Sequence, residues 1–415
     1  MIEATTGRRE RKKARTRQAI ADAALELFLE HGFDRVAVKD VAEAADVSMS
    51  GLFKHFPTKE SLVFDEEDDV QARLIAAVRD RPDGGSVLDG LRDWLLTHAC
   101  AATADPAAAA FHDLVARTPA LSDYARRMWL RHEEKLAEEI RHAGPDAPGA
   151  GVAARALARF VLDRTQPWQR DDPRAEIDAA FALLACGWPA PERQVPPHRP
   201  PRATPASPAR PPRATSASPA RPPGLRERKK AATRKAITEA ALELFTARGY
   251  DGVGVREIAE AAGTSIATLF AYFPDGKASL VFPGDRSRHI AALVDAVHGR
   301  APGQSVLEAV RDHMAGRGPF ASDPTPDQRR ALDIIRVTPE LRDYALHSWT
   351  VAQQPLTEAV AQEAALPHDD LSARLLARYV LQIPDLANTL DADARHTLDV
   401  VTRLLDRGWP ACLVE

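Results

Sequence analysis

The sequence has few of the features that mark secreted, membrane-spanning or metal-binding proteins. Three cysteines occur in 415 residues, Cys100, Cys186 and Cys412, and they lack the paired spacing of a zinc site or a disulfide framework. No run approaches the roughly 18 apolar residues of a membrane span, and the N-terminus opens without an apolar segment. We therefore predict a globular protein of the cytoplasm, with reduced thiols and no membrane contact.

A strong excess of one charge is also lacking, as are the motifs of common enzymes. The formal net charge of −4 gives no global attraction to nucleic acid, so such binding would need local basic clusters. No glycine-rich phosphate loop, nucleophile motif or His/Cys metal spacing occurs. The histidines are scattered, and the acidic run at residues 66–69 has no histidine at ligand spacing. We predict no enzymatic activity, no catalytic residue, no metal site and no cofactor.

The sequence does contain a copy of itself. A shift of 217 residues aligns residues 7–57 with residues 224–274 without a gap, and 30 of the 51 positions are identical. Weaker similarity continues to CGWPAP, from Cys186, and RGWPAC, from Arg407. Repeats of this length indicate paired domains, because solenoid repeats are much shorter.

A proline-rich segment, residues 190–223, separates the two copies. It contains 12 prolines and six arginines but a single branched aliphatic residue, Val195, so it cannot build a core. Its composition favours polyproline II, which would let 34 residues reach about 100 Å. We predict five segments, in which the first part of each copy is called its head and the longer remainder its body. They are head 1 (7–64), body 1 (65–189), a linker (190–223), head 2 (224–282) and body 2 (283–412).

Each copy is predicted to be all helical. Apolar positions recur at helical spacing, and nothing indicates a β-hairpin. Ser48 is a predicted N-cap and Pro57 a predicted stop, whereas Thr118 and Thr338 would cap helices that begin with proline. The helices predicted in the first copy are 9–30, 38–45, one from Ser48, 59–79, 87–102, 119–142, 153–163 and 175–186.

The phrase SMSGLFKHFP, from Ser48, has the length of the second helix of a helix-turn-helix, which enters a DNA major groove. Leu52 and Phe56 would face the core together, while the opposite face differs from that of the second copy, SIATLFAYFP. The run RRERKKARTR, from Arg8, and its counterpart RERKKAATRK, from Arg226, could neutralise phosphates; alone, each would equally well be a solvated helix end.

Both copies resemble the tetracycline-repressor (TetR) family of bacterial transcription regulators. The matching segments are ALELFLEHGFDRVAVKDVAEAADVSMSGLFKHFPTKESL and ALELFTARGYDGVGVREIAEAAGTSIATLFAYFPDGKASL. The resemblance implies a three-helix DNA-binding head, a helical body with a small-molecule pocket, and dimerisation through the last two helices. The DNA contacts expected on this basis, together with the basic runs, are Arg11, Lys12, Lys13, Lys39, Ser48, Met49, Ser50, Gly51, Lys54, His55 and Lys59 in the first copy, and Arg228, Lys229, Lys230, Arg256, Ser265, Ile266, Ala267, Thr268, Tyr272 and Lys277 in the second.

Several positions depart from the family pattern. Ala37 and Gly254 stand where a capping Thr or Ser is common, which weakens the expectation of a phosphate contact there. The second helix of each helix-turn-helix, the recognition helix, begins with few polar residues. Readout of the DNA bases would therefore depend more on apolar contact, for instance with thymine methyl groups. By the same resemblance His55 and Tyr272 take a phosphate-contacting position. Lys277 follows a one-residue insertion relative to Lys59.

The duplication predicts a single-chain pseudo-dimer on double-stranded operator DNA. Residues 153–163 and 175–186 would pair with residues 371–383 and 397–405, and unlike recognition helices would read unlike half-sites. A four-headed dimer of chains is the alternative assembly. The family resemblance implies a repressor that a ligand releases from DNA, although activation of transcription is also possible. A looser resemblance of the bodies to other regulators implies a lipophilic or acyl-CoA-like effector. The predicted effector contacts are Trp94, Tyr124, Trp129, Tyr344 and Trp349. The alternative function is a ligand- or partner-binding protein with degenerate heads.

Overall fold

A computed structural model describes residues 3–64, 67–82, 84–104, 106–163, 172–188, 225–282, 286–350, 353–390 and 392–413. Within these ranges the side chains of residues 3–10, 67–69, 98–104, 112, 126, 130, 225–228, 286–288, 343 and 346–350 lie outside the description. The predicted linker, 190–223, also lies outside it. The described part of the chain contains helices and no strand, which confirms the all-α prediction. None of its helices is long and apolar enough to cross a membrane.

The chain divides into two compact units. Unit 1 consists of Met1–Trp188 together with Val400–Glu415, and unit 2 consists of Pro189–Asp399. The division therefore follows the duplication except at the end of the chain, where the last residues of the second repeat belong to unit 1.

Unit 1 begins with a three-helix head on which later helices pack. Its helices are α1 (Glu3–His31), α2 (Val38–Ala44), α3 (Met49–His55), α4 (Glu67–Arg79), α5 (Val87–Ala104), α6 (Pro106–Arg117), α7 (Pro119–Ala143), α8 (Ala150–Asp163) and α9 (Pro173–Cys186). The head core around Phe28, Leu52 and Phe56 continues into Val115 of α6 and Leu121 of α7. Head and body therefore share one apolar core in this unit.

Three details of unit 1 differ from the sequence prediction. The predicted helix 59–79 is interrupted, because a 3-10 turn at Glu60–Leu62 precedes α4. The helix α6 was not predicted; its alanine-rich start carries little apolar periodicity. Pro119 does open α7, but the Thr118 hydroxyl makes no capping bond. The missing N–H of proline at the first helical position removes one of the groups that need a cap.

Unit 2 repeats this plan. Its helices are α10 (Leu225–Arg248), α11 (Val255–Ala261), α12 (Ile266–Tyr272), α13 (Arg286–His298), α14 (Val306–Met314), α15 (Pro326–Val337), α16 (Pro339–Thr350), α17 (Gln353–Glu363), α18 (Leu371–Thr389) and α19 (Ala394–Arg407), whose last turns belong to unit 1. The helix α18 continues through Pro384, where the prediction ended it. Burial of Ile383, Leu386 and Ala387 favours the helix on both sides of the proline.

Two tryptophan-containing turns meet inside unit 1, one after α9 and one after α19. The Trp188 backbone N donates to the Leu405 carbonyl at 2.6 Å, and the Trp409 backbone N donates to the Leu184 carbonyl at 2.7 Å. Trp188 and Leu184 correspond in the repeat to Trp409 and Leu405, each 221 residues later. The two bonds therefore join equivalent positions of the two repeats within unit 1.

A glycine in each of these turns permits the close approach. Gly187 has φ 78° and Gly408 has φ 73°, a region that side chains disfavour. A Cβ on Gly187 would lie 2.2 Å from the Asp406 carbonyl oxygen, and one on Gly408 would lie 2.3 Å from the Ala185 carbonyl oxygen. Both the backbone angle and the available space thus require glycine at these two positions.

Candidate nucleic-acid interface

The recognition helices α3 and α12 are capped and buried in the same way. The Ser48 hydroxyl accepts from the Gly51 N–H at 3.1 Å, and the Ser265 hydroxyl accepts from the Thr268 N–H at 3.0 Å. Leu52 and its counterpart Leu269 are fully buried. The predicted cap and the predicted inward face of α3 are therefore confirmed.

The outward faces of α3 and α12 have equal exposure and different chemistry. Equivalent residues of the two copies are both exposed, both half-buried or both buried at each position. The exposed predicted contacts are Ser48, Met49, Ser50 and Lys54 in α3 and its cap, and Ser265, Ile266 and Ala267 in α12 and its cap; Gly51, His55, Thr268 and Tyr272 are half-buried. One scaffold thus presents two different surfaces, and the DNA contacts themselves stay predictions.

Carboxylates occupy the starts of α2 and α11, where a capping hydroxyl is missing. The Asp40 Oδ2 accepts from the Ala37 N–H at 2.9 Å, and the Glu257 Oε2 accepts from the Gly254 N–H at 2.9 Å. Each bond is the N3 half of a capping box. The hydrogen bond from Arg248, followed by that from the Gly254 N–H, lowers the pKa of Glu257. The head cores therefore form without the usual Thr or Ser.

An arginine joins the first helix of each head to the end of the recognition helix. The Arg17 Nη1 donates to the His55 carbonyl at 2.7 Å, and its guanidinium lies 4.3 Å from the centre of the Phe56 ring. In head 2 the Arg234 Nη1 donates to the Tyr272 carbonyl at 2.9 Å. Arginine suits this role because one planar group can both donate to a carbonyl and stack on a ring. Sequence reasoning missed the role of both residues, which stand within basic runs that are nearly identical in the two copies.

The two predicted phosphate-facing lysines at the end of the heads have structural roles. The Lys59 Nζ donates to the Phe33 carbonyl at 2.5 Å, and the Lys277 Nζ donates to the Tyr250 carbonyl at 2.6 Å. Lys277 is therefore the structural equivalent of Lys59 despite the insertion before it. Burial lowers the pKa of Lys59. Their contact with phosphate stays a prediction.

The basic residues at the start of each head lie on exposed parts of α1 and α10. Their described members are Arg11, Lys12, Lys13, Lys229 and Lys230, whereas the Arg228 side chain lies outside the described residues. Lys39 pairs with Glu43 at 3.3 Å on α2, and Arg256 pairs with Glu260 at 3.0 Å on α11. All four side chains are exposed. Such surface pairs hold a lysine or arginine weakly, so phosphate could replace the carboxylate.

His55 lies where these cations meet α3. Burial, followed by the charges of Lys13 and Arg17, lowers the pKa of the imidazole. The neutral form is thus favoured in the absence of an anion. Tyr272 replaces it in head 2, so the two heads place different side chains at one position.

The predicted effector-binding aromatics lie mostly at the junctions between heads and bodies. Tyr124 stacks on Phe64 at 5.3 Å, Tyr344 lies 5.3 Å from Phe282, and Trp129 packs against the core of head 1. Trp94 borders a shallow depression of about 370 Å³. The Trp349 side chain lies outside the described residues, and effector contact stays a prediction for all five.

Comparison with known proteins identifies the heads. The model of the bacterial regulatory proteins of the tetR family matches residues 20–65 and 237–282. The chain carries two TetR-family DNA-binding heads. It is 28% identical over 159 residues to the transcriptional regulator MftR of Mycobacterium tuberculosis, covering 38% of this chain and 78% of MftR. It is 35% identical over 85 residues to the HTH-type transcriptional regulator TcmR of Streptomyces glaucescens, covering 20% of this chain and 38% of TcmR.

Among solved structures, the TetR-like chain is similar to NalD, the secondary repressor of the MexAB-OprM multidrug efflux pump in Pseudomonas aeruginosa. The match has 23% sequence identity and a TM-score of 0.31, and covers 40% of this chain and 94% of NalD. Both heads thus match the tetR-family model, and the chain is similar to transcriptional regulators of that family, as the sequence predicted. Within the described residues, no cluster of three or more His, Cys, Asp or Glu side chains could hold a metal ion.

Proposed function

We propose that this regulator is a repressor released from DNA by a small molecule, and that one chain reads one operator with two unlike half-sites. The observation that carries the proposal is the pair of recognition helices, which share caps and burial but differ outward. Gly51 and Lys54 in α3 correspond to Thr268 and Ala271 in α12. Base contacts depend on outward side chains. Two recognition helices with the same caps and buried residues but different outward side chains therefore favour two different half-sites.

Pairing within one chain is supported by the packing of residues 400–413 inside unit 1. The reciprocal bonds at Trp188 and Trp409 join equivalent ends of the two repeats. Covalent linkage would raise the effective concentration of one repeat near the other to about the millimolar range. DNA binding would then not depend on the protein concentration needed for dimerisation.

Release by an effector, proposed to be lipophilic or acyl-CoA-like, is supported by the shared cores of heads and bodies. Leu121 of α7 and Leu341 of α16 belong to the cores of head 1 and head 2. A molecule that moved α7 or α16 would therefore tilt a head, and differential affinity for the two arrangements would weaken DNA binding. In this proposal the regulator acts on operator DNA in the cytoplasm.

Fluorescence anisotropy with genomic duplex fragments tests DNA binding. A variant with Arg11, Lys12, Lys13 and Lys54 changed to Ala should lose about 100-fold in affinity or more near 150 mM salt, with a shallower salt dependence. The matched control changes four exposed cations of the bodies to Ala: Arg127, Lys135, Arg174 and Arg329. Full affinity in the head variant, or equal losses in both, would favour degenerate heads instead.

A further inference from the structure

Large apolar side chains are concentrated on the outward faces of α3 and α12. Six large hydrophobic residues of the described chain are exposed, and four of them lie on these two seven-residue helices. Their exposed fractions are Met49 39%, Phe53 46%, Ile266 41% and Phe270 41%. Single exposed apolar residues are ordinary. The same two positions are exposed and apolar in both copies, however, which is not a random scatter.

Each pair forms a stripe along one face of its helix. Met49 and Phe53 are four residues apart, as are Ile266 and Phe270, so each pair lies on one side. The buried residues Leu52 and Leu269 fix the opposite side. We call Met49 with Phe53 stripe 1, and Ile266 with Phe270 stripe 2.

The two phenylalanines are kept while the other exposed positions of the two helices change. Phe53 and Phe270 are identical, whereas Lys54 is replaced by Ala271. Nearly half of the Phe53 side chain stays in solvent, so core packing does not account for the ring. An apolar contact with something outside the chain does.

The charges around stripe 1 favour DNA over a second copy of the chain. Lys54 is exposed beside Phe53, and the charges of Lys13 and Arg17 act on His55 at the end of the same helix. Face-to-face pairing of two such surfaces would bring like charges together, which is unfavourable. A duplex supplies phosphates for the cations, and its major groove displays one apolar group, the C5-methyl of thymine.

We propose that Phe53 and Phe270 each pack on a thymine methyl group, so that the two unlike half-sites share a thymine at one equivalent position. This inference rests on the proposed function, because it requires both heads to enter the major groove. Met49 and Ile266 extend the same apolar contact toward the start of each helix. The polar and charged positions around the stripes then account for the differences between half-sites.

The test uses the duplex that the full chain enriches from a randomised library, and copies in which single thymines are replaced by deoxyuridine. This replacement removes only the C5-methyl. We expect one thymine in each half-site whose replacement weakens binding about threefold to fivefold, the value of one buried methyl-sized group. Phe53→Ala should abolish this effect in one half-site and Phe270→Ala in the other.

Leu29→Ala is the matched control, because Leu29 is also 41% exposed but lies on α1. It should leave affinity and the deoxyuridine effect unchanged. The inference is overturned if both phenylalanine variants keep the full deoxyuridine effect, or if they alter only sedimentation, which would make the stripes contacts between copies. Failure of the proposed function looks different, since no sequence would then be enriched.

Discussion

At the junction between head and body, unit 2 contains a tyrosine-to-glutamate hydrogen bond that the corresponding residues of unit 1 cannot form. The Tyr250 hydroxyl donates to the Glu340 Oε1 at 2.9 Å, between the end of the α10 region and the start of α16. The corresponding residues in unit 1 are Phe33 and Ala120, which cannot form this bond. The two heads thus share the caps and buried residues of their helices. They differ in their outward side chains and in their contact with the body of the same unit.

This difference suggests that the two heads respond unequally to movements of their bodies. A hydrogen bond to a carboxylate is directional, so it resists rotation, whereas ring contacts such as that of Phe64 with Tyr124 permit sliding. Burial and then the bond to Glu340 raise the pKa of Tyr250. Substitutions at equivalent positions can show where the repeats behave alike and where they do not.

The glycines of the tryptophan turns test equivalence and should have the largest effect. Gly187→Ala should lower the free energy of unfolding by about 4 kcal/mol, because it adds a steric conflict to backbone strain. Gly408→Ala should act alike if the contact is two-fold. Gly32→Ala is the control, since Gly32 has φ 85° but no atom within 4 Å of an added Cβ. Urea unfolding measures all three; equal losses at Gly187 and Gly32 would show that close approach contributes nothing.

A buried ion pair distinguishes body 1 from body 2. The Arg155 Nε donates to the Glu133 Oε1 at 2.5 Å and the Arg159 Nη2 donates to the same oxygen at 3.1 Å, while the second repeat has Gln353 in place of the acid. Glu133→Gln should cost about 3 kcal/mol of unfolding free energy, because two guanidinium groups lose a buried counter-charge.

The neighbour on the same helix is the control for this change. Glu134 is exposed, so Glu134→Gln should alter stability by less than about 0.5 kcal/mol. If Glu133→Gln is equally silent in urea unfolding, the ion pair does not distinguish the two bodies.

Removing the hydroxyl of Tyr250 gives unit 2 the phenylalanine that unit 1 has at the same position, Phe33. Tyr250→Phe should cost about 1 kcal/mol in stability, the usual value of one hydrogen bond. Hydrogen exchange of α11 and α12 should rise, with α2 and α3 unchanged. The converse variant, Phe33→Tyr with Ala120→Glu, should slow exchange in head 1. Unchanged hydrogen exchange in both variants would contradict the inference that the two heads respond unequally to movements of their bodies.

The smallest expected effect concerns pH. In the free protein, burial, Lys13 and Arg17 lower the pKa of His55, and a nearby phosphate in the complex would raise it. Binding would then take up a proton, so affinity should increase severalfold as pH falls from 8 toward 6. His55→Tyr copies the second repeat and should flatten this part of the curve. A wild-type curve as flat as that of the variant would argue against phosphate at His55.

The sequence predicts the parts of the heads that depend on local pattern. Ser48 lies one residue before the recognition helix, and Leu52 and Phe56 have the spacing of a buried face, so the cap and the core side follow directly. The repeat itself supports these predictions, because unrelated positions vary around them. Family resemblance adds the class of protein.

The parts that depend on long-range contacts could not be predicted in this way. The Lys59 ammonium donates to the Phe33 carbonyl, a partner 26 residues away in sequence that no local pattern indicates, and its contact with phosphate stays a prediction. The bond from Arg17 to His55 spans 38 residues, and Gly187 owes its role to a turn more than 200 residues later. Periodicity reports which side of a helix is apolar, and not which carbonyl a flexible cation will reach.

Selection of duplexes by the full-length chain, followed by mass measurement of the selected complex, tests the central claim most directly. We predict an enriched sequence with two unlike half-sites whose centres lie about 34–36 Å apart. One chain of 45.2 kDa should be bound per duplex. A perfect palindrome occupied by two chains would contradict the account.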